Sequence, residues 1–220
     1  MGCDSHANHT CDGLVVTERE IVLPAGAADR LTRPLGQSLA LRRSRRDFAG
    51  VDRVGLADIG CLLWAGQGVR DDESRTAPSA GGIYPVQLHV AVGDINGVKP
   101  GCYSYAARTH SLNPVQTGDL RSAIAATTID PSDWISTASC LVIASADFNA
   151  LHRRFGSQPP AGERSRRYGY IEIGAVTQNI LLAAESLGRS SVIVGGFDDQ
   201  HLRDAIRLDD NLSPVAIVPI

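Results

Sequence analysis

The sequence predicts an α+β fold in which a largely buried sheet packs against one long core helix. Residues 138–148, "ASCLVIASADF", are almost continuously apolar, which is typical of a strand covered on both faces. Residues 87–92 alternate in the way that a strand does. Residues 170–188, "YIEIGAVTQNILLAAESLG", repeat apolar side chains at helical spacing and end in glycine, which favours a helix C-terminus.

The N-terminal half supplies two further helices and a hairpin. We expect one helix over residues 29–46 and a second over 54–69, where Leu and Ile recur at helical spacing before two glycines end it. Residues 101–107 and 110–115 flank a short turn and predict paired strands, and 119–127 predicts a short helix.

The C-terminal half continues with a predicted arginine-rich loop over residues 151–170, which leads into the long helix. A strand is expected over 190–197, a short helix over 198–206 and a last strand over 213–220. The predicted domain therefore covers residues 22–220, and we expect residues 1–21 to form a flexible tail.

Composition excludes several classes of function. A net charge of −3 argues against a general nucleic-acid binder, which carries a basic surplus. No apolar run reaches the roughly 20 residues of a membrane span, and no secretory signal begins the chain, so we expect a cytoplasmic protein. Lys99 is the only lysine and lies in a predicted turn, which argues against Schiff-base and P-loop chemistry.

A cluster of basic side chains follows the first predicted helix in "LRRSRRDF". Guanidinium groups bind phosphate in bidentate fashion, and a serine hydroxyl adds a donor. The candidate phosphate ligands are Arg42, Arg43, Ser44 and Arg46. A solvated basic face would give the same pattern, so both interpretations stay open.

Two stretches of small residues flank predicted strands. The first, "PSAGG", comprises Pro78, Ser79, Ala80, Gly81 and Gly82. A flat ring can lie on such bare backbone, and a tight loop is the alternative explanation.

The second stretch is the pair Gly195 and Gly196, at the end of the predicted strand over 190–197. It again offers bare backbone, and the alternative is a strand–helix turn with an aspartate cap. A basic phosphate grip and two small-residue surfaces together describe a flavin mononucleotide (FMN) site. Because a flavin brings its own hydride chemistry, no protein nucleophile is required.

These blocks, with "LLWAGQGV", "RTAPSAGGIYP" and "VAIVPI" in the same order, resemble the FMN-dependent nitroreductase family, and especially its SagB-type dehydrogenase branch. The resemblance covers about residues 22–220. It implies a sandwich with a mixed, mostly antiparallel sheet covered by helices. It also implies a homodimer that has FMN and the long helix at its interface. A small partner subunit is a further arrangement that the resemblance allows.

The resemblance gives each block a role. The arginine cluster would hold the FMN phosphate and ribityl chain, "PSAGG" would border the flavin from the partner subunit, and the glycine pair would lie near the reactive ring edge. Azoline-oxidising members share a Lys-Tyr-Gly stretch, which corresponds here to Arg154-Phe155-Gly156. Since arginine stays protonated, Arg154 cannot serve as a base. Arg154 and Tyr168 are weak catalytic candidates, and no catalytic residue is assigned.

The leading functional prediction is a dehydrogenase or oxidase that transfers hydride from a small or peptide-derived substrate to FMN. The alternatives are an NAD(P)H-dependent nitroreductase or quinone reductase, with NAD(P)H as electron donor, and a flavin-binding protein without turnover. Cysteine and histidine residues in the tail, Cys3, His6, His9 and Cys11, have no usual zinc spacing, so no metal site is predicted.

Overall fold

The computed structural model describes residues 20–48, 54–93, 95–130 and 132–220. Within them the strands are β1 (Ile21–Val22), β2 (Val86–Val92), β3 (Gly101–Ala106), β4 (Ser111–Thr117), β5 (Cys140–Ala146) and β6 (Ser213–Pro219). The helices are α1 (Ala27–Arg30), α2 (Leu35–Leu41), α3 (Leu56–Gln67), α4 (Arg121–Ala125), α5 (Phe148–Phe155), α6 (Glu163–Ser186) and α7 (Asp199–Ile206).

The strands form one sheet in the order β1-β4-β3-β2-β5-β6. Every pairing between these strands is antiparallel. The predicted α+β class is confirmed, but the expected mixture of parallel and antiparallel strands is absent from the described residues. Hairpins join β2 to β3 and β3 to β4, which is the connection that antiparallel pairing favours.

Both faces of the sheet are covered, and β5 shows why its sequence is apolar throughout. Val142 and Ala144 point into the larger core, which α3 and α6 complete. Leu141 and Ile143 point into the second core, which α4 and α7 complete. All seven residues of β5 are buried. A strand in the middle layer needs apolar side chains on both sides, so alternation disappears.

The long helix α6 packs closely on α3. A Cβ atom placed on Gly66 would lie 3.0 Å from a side-chain carbon of Ile180, so glycine lets the two helices approach. Gly66 therefore lies inside α3 and does not end it as the sequence suggested. The helix ends instead at Gly68, whose N–H donates to the carbonyl of Trp64.

The single helix predicted over residues 29–46 is wrong. Two short helices, α1 and α2, stand in its place, because Pro34 provides no N–H and disfavours a helical conformation at Arg33. The chain leaves α2 after Leu41. The N–H of Arg45 then donates to the carbonyl of Ser191, 3.1 Å away, in place of a helical acceptor.

The arginine-rich loop predicted over residues 151–170 is also wrong. Helix α5 occupies its start and α6 begins at Glu163, so only residues 156–162 separate the two helices. A carboxylate oxygen of Asp147 accepts the N–H of Ala150 at 2.7 Å and caps α5. Pro159 and Pro160 lie in the connection between the two helices, where they disfavour a continuous helix.

Residues 190–197 do not form the strand that the sequence predicts. Val194 makes a single antiparallel bridge to Ile217 of β6, and the chain then turns into α7. The predicted cap is confirmed, since Asp198 accepts the N–H of His201 at 2.8 Å.

In the ranges described, no helix has the length and apolar character needed to cross a membrane. Nearly all of the predicted tail lies outside the described residues.

Candidate functional site

The arginine segment, residues 42–46, leaves α2 and runs beside the chain that follows α6. Its backbone is fixed by the hydrogen bond from Arg45 N–H to Ser191. Side chains alternate along an extended chain, so Arg45 turns inward while Ser44 and Arg46 are exposed. The two exposed donors are on the side where an anion can reach them.

The other predicted phosphate ligands lie in the same segment. Arg43 is exposed, and its guanidinium donates to the carbonyls of Ala40 and Arg42, each at 2.9 Å. The guanidinium of Arg46 lies over the ring of Trp134, 5.5 Å from the centroid. Of the predicted ligands, Arg43, Ser44 and Arg46 are therefore exposed in one short segment, and Arg42 is half-buried.

A buried glutamate of α6 holds this segment in place. Glu185 accepts hydrogen bonds from Arg33 at 2.5 Å and from Arg45 at 3.0 Å. The N–H of Arg33 also donates to the hydroxyl of Ser186, at 3.3 Å. Sequence reasoning missed Glu185, although an acidic residue on the apolar face of a predicted helix indicates a buried ion pair.

The glycine pair, Gly195 and Gly196, lies four residues beyond the contact at Ser191, and Gly195 lines a cavity together with Arg166 and Tyr170 of α6. Both glycines are exposed. A Cβ atom on Gly195 would meet nothing within 4 Å, and one on Gly196 would come no closer than 3.9 Å to Ile129. Neither glycine has a positive φ. The described chain thus gives no packing or conformational reason for glycine here, and the open backbone fits a flat ligand.

The small-residue loop, residues 78–82, has a different explanation for its glycines. Gly81 and Gly82 have φ values of +61° and +66°, which favour glycine. The N–H of Ala80 donates to the Oε1 atom of Glu172 in α6, at 2.8 Å. This hydrogen bond holds the loop on the N-terminal half of α6.

The two parts of the predicted site contact α6 at different levels. The arginine segment contacts Glu185, and the small-residue loop contacts Glu172, thirteen positions earlier in the same helix. A helix rises about 1.5 Å per residue, so these contacts are roughly 20 Å apart along the axis. A single chain therefore does not bring the arginine segment and the small-residue loop together.

The two catalytic candidates lie next to the small-residue loop. Phe155 has its ring edge 3.2 Å from where a Cβ of Gly81 would be. The ring of Tyr168 contacts Phe155 edge-on, with centroids 4.9 Å apart, and its hydroxyl lies 3.5 Å from the side-chain oxygen of Gln158. Arg154 is exposed, with its guanidinium 5.6 Å from the centroid of Phe155. Neither candidate shows a contact that assigns catalysis.

A cavity of about 270 Å³ opens beside Gly195, between the start of α5, the first turns of α6 and the start of β6. Phe148 and Tyr170 supply aromatic walls, and their ring centroids are 5.3 Å apart. Arg166 and Asp199 supply opposite charges at its lining. Such a cavity suits a small polar ligand with a flat or apolar part.

No metal centre is found in the part of the chain that the structure describes, where no group of three or more His, Cys, Asp or Glu side chains converges. The tail cysteines and histidines lie outside it.

Burial raises the pKa of the Cys102 and Cys140 thiols to about 12, so both stay protonated near neutral pH.

Residues 39–220 match the family model described as the nitroreductase family. This chain belongs to that family. A curated Methanocaldococcus jannaschii protein whose name describes it as a nitroreductase is 31% identical over 183 residues, which cover 83% of this chain and 87% of that protein.

A second curated relative is the trifolitoxin-processing protein TfxB of Rhizobium leguminosarum bv. trifolii. It is 28% identical over 117 residues, which are 52% of this chain. The match covers only 30% of TfxB.

Solved structures share the fold of this family member. A nitroreductase-named protein of Ralstonia eutropha aligns with a TM-score of 0.74 and 27% identity, over 93% of this chain and 89% of that one. A Desulfovibrio desulfuricans protein solved in complex with FMN aligns with a TM-score of 0.60 and 21% identity, over 85% and 84% of the two chains. The E. coli microcin synthetase McbBCD complex with truncated pro-MccB17 bound aligns with a TM-score of 0.66 and 19% identity, over 83% and 71%.

Proposed function

We propose that this nitroreductase-family chain is an FMN-dependent dehydrogenase or oxidase of the SagB type, which acts as a homodimer on a small or peptide-derived organic substrate. The observation that carries the proposal is the open glycine pair at the edge of a cavity, in a stretch of chain that is tied through Ser191 to the exposed arginine segment. The described chain gives no packing reason for the two glycines and leaves Arg43, Ser44 and Arg46 exposed, and a flat phosphorylated cofactor would use both features. The FMN complex of the Desulfovibrio neighbour supports this choice of cofactor.

The residues present fit FMN. Arg42, Arg43, Ser44 and Arg46 would bind the phosphate and ribityl chain, since guanidinium forks and a hydroxyl supply donors to phosphate oxygens. Gly195 and Gly196 would admit the ring edge without a steric conflict. When bound, FMN supplies the hydride-accepting ring, and the protein supplies orientation and exclusion of water.

A homodimer would complete the site. The roughly 20 Å between the two halves along α6 means that the small-residue loop of one subunit would have to meet the arginine segment of the other. Exposed apolar side chains support an interface on this side of the molecule: Ile171 is 60% exposed, and Leu35 and Leu39 of α2 are 64% and 54% exposed. A largely apolar groove of about 440 Å³ between α2, α3 and α6 continues the same surface.

Two relatives support a peptide-derived substrate. TfxB is named for processing trifolitoxin, and the microcin synthetase complex has truncated pro-MccB17 bound. The latter is also an assembly of several chains, which supports a small partner subunit for this chain. Arg154 would bind an anionic group of the substrate because arginine cannot act as a base. Tyr168 stays a catalytic candidate through its position beside Phe155.

NAD(P)H-dependent reduction of a nitro compound or quinone is the second candidate function. The relatives from Methanocaldococcus and Ralstonia, both named as nitroreductases, favour it. Arg166 at the cavity beside Gly195 would then bind a phosphate of the nicotinamide cofactor. A flavin-binding protein without turnover is the third candidate, because neither Arg154 nor Tyr168 makes a contact that assigns catalysis.

The test is the visible absorption spectrum of the purified protein, followed by anaerobic addition of NADH or NADPH. The proposal predicts a bound flavin that stays oxidised with nicotinamide and is bleached by an organic donor substrate. Rapid bleaching by nicotinamide would support the reductase instead. A flavin that neither donor reduces would support the non-catalytic protein. No bound flavin after reconstitution with FMN would overturn all three.

A further inference from the structure

Glu172 is a buried acid for which the motifs of the sequence give no role. It lies on the buried side of α6 and is only 4% exposed. Its Oε1 atom accepts the N–H of Ala80, whereas its Oε2 atom is buried with no hydrogen-bond partner in the described part of the chain. A carboxylate oxygen in that situation is unfavourable, so its presence needs an explanation.

Stability does not supply that explanation. Burial raises the pKa of Glu172 above its ordinary value, and hydrogen bonding to the small-residue loop, including that from the Ala80 N–H, offsets only part of that effect. No charged side chain contributes to the shift. An acid that is desolvated without a cationic partner destabilises the folded state when ionised. A neutral side chain of the same size would give a more stable protein.

The one hydrogen bond that the described residues give the Glu172 carboxyl group leads to the small-residue loop. The hydroxyl of Ser79 accepts the N–H of Tyr84 at 2.8 Å, so Ser79 closes the loop while Ala80 ties it to α6. Between these ties the chain takes two left-handed glycine conformations and then a third positive φ at Tyr84, +52°. Positive φ at a non-glycine residue is strained, and such strain persists only where contacts hold it.

We propose that Glu172 is a positioning residue that holds the small-residue loop in the conformation that borders FMN. This inference rests on the proposed function. The carboxyl group acts through the Ala80 N–H and does not itself touch the cofactor. Burying the acid lowers the free energy of unfolding, and its hydrogen bond fixes the binding surface. Such a loss of stability at a functional site is common.

The test compares Glu172→Leu with Glu172→Gln, with Glu163→Gln, an exposed substitution on the same helix, as the matched control. Leucine removes the acceptor, while glutamine keeps an oxygen for the Ala80 N–H. Three properties are measured at neutral pH: the FMN dissociation constant, the free energy of unfolding of the FMN-free protein, and hydrogen exchange of residues 79–84 without FMN.

We expect Glu172→Leu to weaken FMN binding at least about tenfold and to speed exchange in the loop, without lowering the free energy of unfolding. Glu172→Gln should stay within about threefold of the wild type, like the control. Two results would overturn the inference: wild-type FMN affinity in Glu172→Leu, or equal losses of affinity in both variants that match an equal loss of stability. If the wild type binds no FMN, the proposed function fails, and loop exchange alone decides whether Glu172 holds the loop.

Discussion

At the scale of single residues, neighbouring arginines of the same segment have different surroundings. Arg45 is directed to the buried Glu185, and Arg46 is exposed above the ring of Trp134. We expect Arg46→Met to weaken FMN binding roughly tenfold to a hundredfold, because a charge-assisted hydrogen bond to phosphate contributes about 1.5–3 kcal/mol. Arg45→Met should instead lower the free energy of unfolding by about 1 kcal/mol, since that arginine is partly exposed.

Fluorescence titration with FMN and urea unfolding measure the two effects in the same pair of variants. Each arginine serves as the control for the other, because the two substitutions are chemically identical and one position apart. A larger loss of FMN affinity in Arg45→Met than in Arg46→Met would contradict the assignment of the phosphate ligands.

The glycine pair allows a second test. Gly196 has an ordinary φ and free space around it, so Gly196→Val should leave the melting temperature of the FMN-free protein nearly unchanged. In the proposed site the valine side chain occupies space that the flavin ring needs, so FMN affinity should fall at least about tenfold. Thermal unfolding and FMN titration measure these properties. Normal FMN binding would mean that the turn serves only to begin α7.

A buried histidine sets a pH dependence. Burial lowers the pKa of His89 to about 4 from its ordinary 6.5, an effect that the charge of Asp209 partly offsets. In this pH range the unfolded chain therefore binds a proton at His89 that the folded chain does not bind. The free energy of unfolding consequently falls as the pH drops from 6.5 to 4. At about 1.4 kcal/mol per pKa unit, the loss is about 3 kcal/mol.

Urea unfolding at pH 7 and pH 4 measures that loss. His89→Leu should lose about 3 kcal/mol less stability between the two values than the wild type loses. Leucine is a suitable replacement because Nδ1 of His89 has no hydrogen-bond partner among the described residues. Equal acid losses in the two proteins would assign the acid sensitivity to other groups.

At the scale of elements, α6 connects the two parts of the proposed site. Its buried side contacts the sheet and α3, Glu172 holds the small-residue loop, and Glu185 holds the arginine segment. Its other side carries Ile171 and Leu182 toward solvent or toward the groove beside α2. An apolar surface of this kind on a helix favours association with another chain.

Ile171→Asp and Leu182→Asp should therefore produce folded monomers that retain little FMN. A carboxylate buried at an apolar interface costs more than the contact contributes. Light scattering after size-exclusion chromatography measures the mass, and circular dichroism measures the fold. Val22→Asp is the control, since Val22 is 69% exposed on β1, away from α6. Dimers that persist in both α6 variants would place the interface elsewhere.

The same elements show what the sequence can and cannot predict. Strand β5 and the core part of α6 were predictable because each buries whole faces, and burial leaves a periodic or continuous apolar pattern. The arginine segment and the glycine pair were recognisable from their residue types, but their places in the fold were not. The arginine segment is held by a hydrogen bond between backbone groups of Arg45 and Ser191, which no side-chain pattern predicts.

Helix boundaries and the roles of Glu172 and Glu185 were not predictable. The arginine-rich residues 163–170 looked like a loop because their charges conceal the helical period, yet they form the first two turns of α6. Each buried glutamate acts on a segment more than 90 residues distant in sequence. Such pairings depend on tertiary packing, which a single sequence does not contain.

At the scale of the whole molecule, the central claim is that neither chain alone contains a complete FMN site. The arginine segment and the small-residue loop contact α6 at points roughly 20 Å apart along its axis. A two-fold axis near α6 would bring the arginine segment of each subunit to the small-residue loop of its partner. The composite site is testable by combining defects in different subunits.

The most direct measurement is the FMN content of a heterodimer that carries Arg46→Met in one subunit and Gly82→Val in the other, purified through two different affinity tags. Gly82 has a φ of +66°, so valine there distorts the loop. We expect each homodimeric variant to hold little FMN, whereas the heterodimer should hold about one FMN per dimer, because one site is intact and the other has both defects. A heterodimer as empty as its homodimeric parents would mean that each site is built within a single chain.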